Sequence, residues 1–519
     1  MGVVVAIDAG TTGVKALAID ESGRPVASAY QEVNQIFPRP GWVEHDPGEI
    51  WQRCLTTLSS VADHLGAEGR AIAAIGITNQ RETTVVWDRS SGLPLHNAIV
   101  WQDRRTAARC EELLEMGHFD LVRSITGLVP DPYFSATKLE WLLGEGGVEV
   151  SAGLAFGTVD SWVAWNLTGG AHVTDPSNAS RTMLFDIRSR CWSEDLCSLF
   201  SIPIELLPTV TPTSARVGET VSGLGSVPAG IPVAAMVGDQ AAALFGQACF
   251  EPGMTKNTYG TGSFVLMNVG SECPDPADGL LTSVAWDLGN SPGGNPALEV
   301  AGGGVPPQGG ERGSLAYALE GSIFSTGATV QWLRDGLEII DSAADVNALA
   351  RSAGSNGGAY LVPAFSGLGS PWWDPWARGA IVGLSPGVGR AQLARAALES
   401  MAFQTRDVVE AMTRATGRPV RNLRVDGGAS ASDFMLQFQA DQLNVVVARP
   451  TVPETTALGA AYLAGLAVGM WSNQSEISTL WHQDAAFHPD DGAGAADKLH
   501  QGWLRAIQAA KGWARSSGP

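Results

Sequence analysis

Val3–Ile7 is an unbroken apolar run rich in β-branched residues, Gly10–Thr11–Thr12–Gly13 is a turn sequence, and Val14–Ile19 is a second apolar run. The pattern predicts a β-hairpin with a Gly/Thr tip. The same device returns far downstream: Thr255–Thr258, then Tyr259–Gly260–Thr261–Gly262–Ser263, then Phe264–Asn268. Two such hairpins suggest two similar domains facing one another. Between them, Asp46–Pro47–Gly48–Glu49 opens a helix running through Leu65, with Asp46 as N-cap and Pro47 at the first position. Ala71–Thr78 reads as a buried strand and Thr83–Trp87 as another, closed by the turn Asp88–Gly92. Leu423–Val425 is a short strand ending in Asp426–Gly427–Gly428, followed by a helix over Ser432–Leu443 and a strand at Val445–Val447. Thr455–Ser475 carries no charge, but its apolar part, Ala457–Trp471, is shorter than a membrane span needs and predicts a buried core helix. Strands alternating with helices argue for an α/β fold. Gly289–Gly313, with nine Gly and four Pro and no apolar period, reads as a flexible insertion. Ala510–Pro519 reads as a frayed tail.

At 519 residues the chain has room for two to four domains of roughly 100–200 residues each. Lys and Arg number 33 against 53 Asp and Glu, a net charge of −20. So acidic a chain is a poor general binder of nucleic acid or anionic membrane. Any phosphate it binds must be met by backbone N–H groups and a few placed cations. The six cysteines form no C-x-x-C pair, and MGVVVAID has no basic n-region. A cytoplasmic protein without a signal peptide is expected, with no membrane insertion. The eight histidines show no metal-ligand spacing.

Several familiar sites are absent. No Lys precedes Ser or Thr, so there is no Walker A loop, and neither an HRD triplet nor H-E-x-x-H occurs. Gly383–Leu384–Ser385–Pro386–Gly387 fits G-x-S-x-G, but Pro386 has no N–H for an oxyanion hole, so this is a turn. The first hairpin tip carries more. Its small residues let backbone N–H groups and the Thr hydroxyls approach phosphate oxygens. Asp8 at the strand end suits Mg²⁺ held through water, and Lys15 supplies a positive charge. An ordinary glycine hairpin capped by Asp8 fits equally well. Arg81 and Glu82 are adjacent opposite charges between two buried strands, which suits a polyhydroxy ligand or a surface salt bridge. Asp239 ends the apolar run Ile231–Val237, the place of a general base or of a helix N-cap. Asp426–Gly427–Gly428–Ala429–Ser430 is a strand-to-helix turn that admits an anionic ligand at the helix N-terminus. Trp372, Trp373 and Trp376 read as packing.

Taken together these segments resemble the FGGY family of carbohydrate kinases, within the wider group of ATPases that includes hexokinase, actin and the heat-shock chaperones. GITNQRETTVVWD, IVWQDRRT, DPYFSATKLEWLL, GTVDSWVAWNLTGG, VGDQAAALFGQ, KNTYGTGSFVLMN, FSTGATVQWLRDG and LRVDGGASASDFMLQFQAD follow the family's order across nearly the whole chain. The resemblance implies two actin-like (ribonuclease H-like) domains, about 1–248 on the polyol side and about 249–519 on the nucleotide side, hinged around a cleft. NQRE, WQDRR and PYFSATK point to the branch that phosphorylates glycerol. By motif match Arg81, Glu82, Trp101, Tyr133, Asp239, Gln240 and Phe264 would form the glycerol pocket, with Asp239 the catalytic base. Thr11, Thr12 and Lys15 match the first phosphate hairpin and Thr261 the second. Gly327, Gln331, Gly428 and Ser432 match the remaining nucleotide contacts. ATP, Mg²⁺ and a homo-oligomer are the implied cofactors and assembly.

The chain departs from the family's usual pattern at three places. Lys15 stands where Arg is frequent, Ser432 where Asn is usual, and Ser222–Gly230 lacks a Gly/Lys/Arg-rich loop. The competing readings are a kinase for a longer polyol or ketose, an actin-like ATPase used for assembly, and an inactive regulator.

Overall fold

The computed structural model describes residues 2–289, 315–490 and 493–516. Each hairpin seeds a sheet. Gly2–Ala9 pairs antiparallel with Gly13–Ile19, Asp8 opposite Lys15, and parallel with Ala71–Asn79. Pro25–Glu32 extends this sheet on one side, and Pro232–Gly238 and Gly218–Glu219 extend it on the other, giving six strands. In the second half Thr255–Tyr259 pairs antiparallel with Ser263–Gly270 and parallel with Leu423–Gly427. Leu315–Ile323 and Leu281–Asp287 lie beyond the hairpin, and Val447–Pro450 and Gln483–Phe487 beyond Leu423–Gly427, giving seven strands. The two halves thus repeat one plan. A hairpin's first strand pairs with a later parallel strand whose C-terminal end runs into a loop or helix.

The central strands are apolar on both faces because both are covered. Val3, Val5 and Ile7 pack with Leu58 and Leu65 of the helix Pro47–Ala67, whose first turn is capped by Asp46 accepting the Gly48 N–H at 2.8 Å. Val4 and Ala6 share a second core with Leu244 of the helix Asp239–Gly246 and Ala460 of the helix Thr455–Val468. This core also takes in Leu266, Trp286 and Ala318 of the second sheet, so it is continuous between the halves. The uncharged run after Thr455 is therefore a helix buried on nearly every side. At its crossing with Asp239–Gly246 only glycine fits: a Cβ on Gly459 would overlap the Ala242 carbonyl, and one on Gly246 would overlap the Thr455 carbonyl. No helix among the described residues is long and apolar enough to cross a membrane.

Three sequence expectations are corrected. The strand expected at Thr83–Trp87 is Val85–Asp88, because Thr83 closes a tight turn onto the Arg81 carbonyl. The strand expected at Val445–Val447 begins at Val447, since left-handed Asn444 and the next two residues turn the chain. Residues 510–516 are not frayed. Ala510 ends the helix Ala493–Ala510, and Gly512 N–H and Ala514 N–H donate to Asp374 Oδ2 and the Trp376 carbonyl. The expected insertion Gly289–Gly313 lies, beyond Gly289, outside the described residues.

Substituting Gly459 by Ala should push the two helices apart and cost about 1–3 kcal/mol. The check is the urea midpoint of unfolding, which should fall with the slope unchanged; an unchanged midpoint would show that the crossing tolerates a methyl group.

Candidate active site

The apolar strand Pro232–Gly238 ends where the helix Asp239–Gly246 begins. Gly238 is the N-cap, so Asp239 is the first helical residue and not the cap expected of it as an alternative. Its carboxylate curls back onto the helix start. Oδ1 accepts the Gln240 backbone N–H at 2.7 Å, and Oδ2 accepts the Gln240 side-chain amide at 3.2 Å. Arg81 Nε lies 3.1 Å from Oδ1. The Asp239 side chain remains 29% exposed while Arg81 beside it is 3% exposed, so the carboxylate is the open end of this group.

Arg81 and Glu82 follow the strand Ala71–Asn79. The salt bridge considered for them is not on the surface: both are buried, and their closest charged atoms are a long 3.9 Å apart. Each has a stronger partner elsewhere. Arg81 makes a two-pronged contact with Glu320, at 2.7 and 3.0 Å, and Arg181 Nε donates to Glu82 Oε1 at 2.6 Å. Arg181 Nη2 also lies 3.3 Å from Glu320. Burial would raise the Glu320 carboxyl, but the charges of Arg181 and Arg81 outweigh it and hold it down at about 2. Glu82 has φ +61°, a strained conformation for a residue with a Cβ. Its carbonyl is held there by Ser135 Oγ at 3.0 Å and Lys138 Nζ at 3.2 Å, and Lys138 also donates to the Tyr133 carbonyl at 2.6 Å.

An aromatic wall stands beside these charges. The Trp101 ring meets Tyr133 edge-on at 5.5 Å and Phe264 at 6.3 Å. Arg181 lies over Tyr133 at 5.2 Å. Phe264 comes from the second hairpin, so the wall is built by both halves. The Trp101 indole N–H donates to Thr11 Oγ at 2.9 Å, which joins the wall to the first hairpin tip. With the hydroxyl oxygen engaged by the indole, the Thr11 O–H hydrogen is free to point away toward a ligand.

Of the expected phosphate-binding residues, Thr12 is exposed at the same tip, and Lys15 Nζ lies 3.3 Å from Glu454. Burial pushes the Asp8 carboxyl up to about 7, with the charge of Asp239 adding and that of Lys15 opposing. Exposed Thr261 tops the second hairpin, and its carbonyl accepts the Thr326 and Ala328 N–H groups at 2.9 and 3.0 Å. Gly327 donates to the Gly260 carbonyl at 3.1 Å, and a Cβ there would strike the same oxygen, so tip and helix Gly327–Asp335 are one unit. Gly427, φ +83°, pairs with Tyr259, which sets Gly428 beside this tip with open space above it. Gln331 is exposed one turn along the helix, and its side chain makes no hydrogen bond to the others. The Ser432 hydroxyl is committed to structure: it accepts the Met435 N–H at 3.2 Å and donates to Asn347.

Mg²⁺ fits this donor set in one way. No three His, Cys, Asp or Glu among the described residues cluster as a metal cage. Asp8, its negative form disfavoured by burial and by Asp239, is suited to an ion that keeps its waters and rides on phosphates.

Sequence reasoning missed Glu320, Arg181, Lys138 and Lys256, all fully buried. The available signal was a charge inside an apolar run, as in AYALEGSIF and NASRTMLF.

Residues 3–246 match the model of the N-terminal domain of the FGGY family of carbohydrate kinases, and residues 255–468 that of its C-terminal domain. The chain is 50% identical to glycerol kinase 2 of Thermotoga maritima and 51% identical to glycerol kinase of Symbiobacterium thermophilum, each over 99% of both chains. Among solved structures it resembles Plasmodium falciparum glycerol kinase with ADP (TM-score 0.89, 33% identity, 98% of both chains). Gluconate kinase from Lactobacillus acidophilus shares the fold at 20% identity (TM-score 0.85, 98% of both chains).

Removing Glu320 should leave Arg81 and Arg181 buried and short of a partner, so Glu320→Ala should cost about 3–5 kcal/mol of stability. The acid side carries a second check. Because Glu320 titrates at about 2 in the folded chain against its ordinary 4.5, its contribution is complete above pH 4.5 and fades as pH falls toward 2. The wild type should therefore lose stability over that window more steeply than the variant. Parallel curves would remove Glu320 from the account.

Proposed function

Because the chain belongs to the FGGY family of carbohydrate kinases, we propose that it transfers the γ-phosphoryl group of ATP to glycerol, giving sn-glycerol 3-phosphate and ADP. The observation that carries the substrate is the joining of an aromatic wall, Trp101, Tyr133 and Phe264, to the charged group around Asp239. It has the chemistry a small polyol needs, with aromatic edges for carbon and Arg81, Glu82 and Asp239 for hydroxyls. Identity of about 50% to curated glycerol kinases along the whole chain supports the same substrate.

The chemistry divides among the chain's own residues. Asp239 accepts the proton of the terminal hydroxyl as that oxygen attacks the γ-phosphorus in line. Gln240 and Arg81 hold the carboxylate in place for it. Arg81 keeps unused N–H hydrogens and Glu82 keeps Oε2 for the remaining hydroxyls. Thr11, Thr12 and Lys15 on one tip and Thr261 on the other meet the phosphates, with Gly327, Gln331, Gly428 and Ser432 on the nucleotide side. Mg²⁺, when bound with ATP beside Asp8, neutralises phosphate charge that the acidic cleft would repel. Closure of the two halves would exclude water, which would otherwise compete as acceptor. Six free cysteines among the described residues suit a cytoplasmic enzyme.

Two measurements decide this reading. Asp239→Asn should fold normally and bind glycerol nearly as well, with kcat lower by about 10²–10⁴; a variant keeping over about a tenth of wild-type kcat would exclude Asp239 as base. Substrate length is the second. A hydroxyl pressed against the aromatic wall without a partner costs about 1–3 kcal/mol, so erythritol and xylulose should show kcat/KM about tenfold or more below glycerol. If either equals glycerol, the protein is a kinase for a longer polyol or ketose.

A further inference from the structure

Lys256 has no part in the mechanism above, yet it is completely buried beneath it. It lies on the strand Thr255–Tyr259 of the second hairpin and reaches across to the helix that begins with Asp239. Its Nζ donates to Gln240 Oε1 at 2.5 Å and to Thr258 Oγ at 2.9 Å. An ammonium group has donors and no acceptor. The carbonyl end of the Gln240 amide must therefore face Lys256, and its NH₂ end must face Asp239 Oδ2 at 3.2 Å. Were the amide reversed, its oxygen would lie against the carboxylate and its NH₂ against the ammonium, two repulsive contacts at once. The backbone N–H of the same Gln240 binds Oδ1 at 2.7 Å. One residue thus grips both oxygens of Asp239, and its side-chain grip works only in the orientation that Lys256 dictates.

We propose that Lys256 is a positioning residue for phosphoryl transfer: it fixes the Gln240 amide, which in turn holds the Asp239 carboxylate against rotation during proton transfer. This deepens the glycerol-phosphorylating reading and rests on it. A buried cation is costly and survives where it is paired or used. Lys256 faces charge from every side packed on it: Asp426 on Leu423–Gly427, Asp239 on its helix, and Glu320 and Arg81 from the buried ion group. Burial lowers its titration to about 8, with Asp426, Asp239 and Glu320 opposing the fall and Arg81 adding to it. It is charged at neutral pH. Above about pH 8 the amine gains a lone pair and no longer dictates which end of the amide it meets.

The test is steady-state kinetics of the full-length enzyme with glycerol and Mg-ATP, for wild type, Lys256→Met, Gln240→Leu and the double variant. Lys256→Met should lower kcat about tenfold or more while KM for glycerol and for ATP stays within about threefold. The double variant should be no slower than the slower single one, because both changes act through one amide. Wild-type kcat should fall as pH rises through about 8, and both single variants should lack that alkaline limb. The Gln240→Leu profile carries the test even if Lys256→Met fails to fold. A wild type active on glycerol, with Lys256→Met keeping its kcat or with the two losses multiplying, overturns the role of Lys256 alone. An alkaline limb that persists in Gln240→Leu overturns it as well. A wild type inactive on glycerol overturns the underlying reading and this inference with it.

Discussion

The contact on which the site depends is the two-pronged ion pair between Arg81 and Glu320, partners 239 residues apart and both inside the protein. Taking ions out of water costs several kcal/mol each, and the loss is recovered only when geometry is good and every partner is present. Here the charges balance, two arginines against two glutamates: Arg81 with Glu320, Arg181 with Glu82, and Arg181 again near Glu320. Such a group tolerates little displacement, because moving one member leaves another charged and bare. It therefore fixes the guanidinium whose Nε faces Asp239 and the backbone that holds Glu82 in its left-handed turn. It also ties the first sheet to the second at the floor of the cleft.

A second constraint acts through small residues rather than charges. The helices Asp239–Gly246 and Thr455–Val468 touch backbone to backbone at Gly246 and Gly459. Each begins at the cleft. The first starts with Asp239, and the second follows Glu454, which pairs with Lys15 beside the first hairpin tip. Thr455, at the start of the second, donates to Asp426, which also accepts from Gln247 just past the end of the first. Packing deep in the core thus sets where polar groups stand in the cleft. A methyl group added at the crossing would be felt at the hairpin tips as well as in stability.

This division explains what was legible in the sequence. Both hairpins, the Asp46 cap and the turn at Gly427–Gly428 are local patterns, settled by a few adjacent residues. Asp239 was visible because it breaks the end of an apolar strand. Glu320 breaks the middle of one, in AYALEGSIF, and nothing nearby states that its partners lie in NQRE and NASRT. Lys256 in TKNTY was hidden for the same reason, since its partner Gln240 belongs to another element. Arg81 and Glu82 invited a surface salt bridge as the alternative reading, whereas the fold buries both and gives each a closer partner, Glu320 for Arg81 and Arg181 for Glu82. The strand after Leu443 began two residues later than expected because Asn444 adopts a left-handed turn that propensity does not announce.

The buried cations also bear on how an acidic protein admits a triphosphate. Arg81, Arg181, Lys138 and Lys256 are all buried, and each is bound to carboxylates, an amide or backbone carbonyls. None is spare for an incoming phosphate from solvent. At the first tip Lys15 is shared with Glu454, and Asp8 and Asp239 repel one another strongly enough to help push Asp8 up to about 7. A bare triphosphate would therefore meet negative charge beside Asp239. Under the proposed function, a nucleotide that arrives with its divalent cation would bring positive charge to offset this. The burial of the cations and the acidity around Asp8 and Asp239 are two sides of one arrangement: the protein's own cations are committed to buried partners, and under the proposed function the cation that neutralises phosphate would come with the substrate.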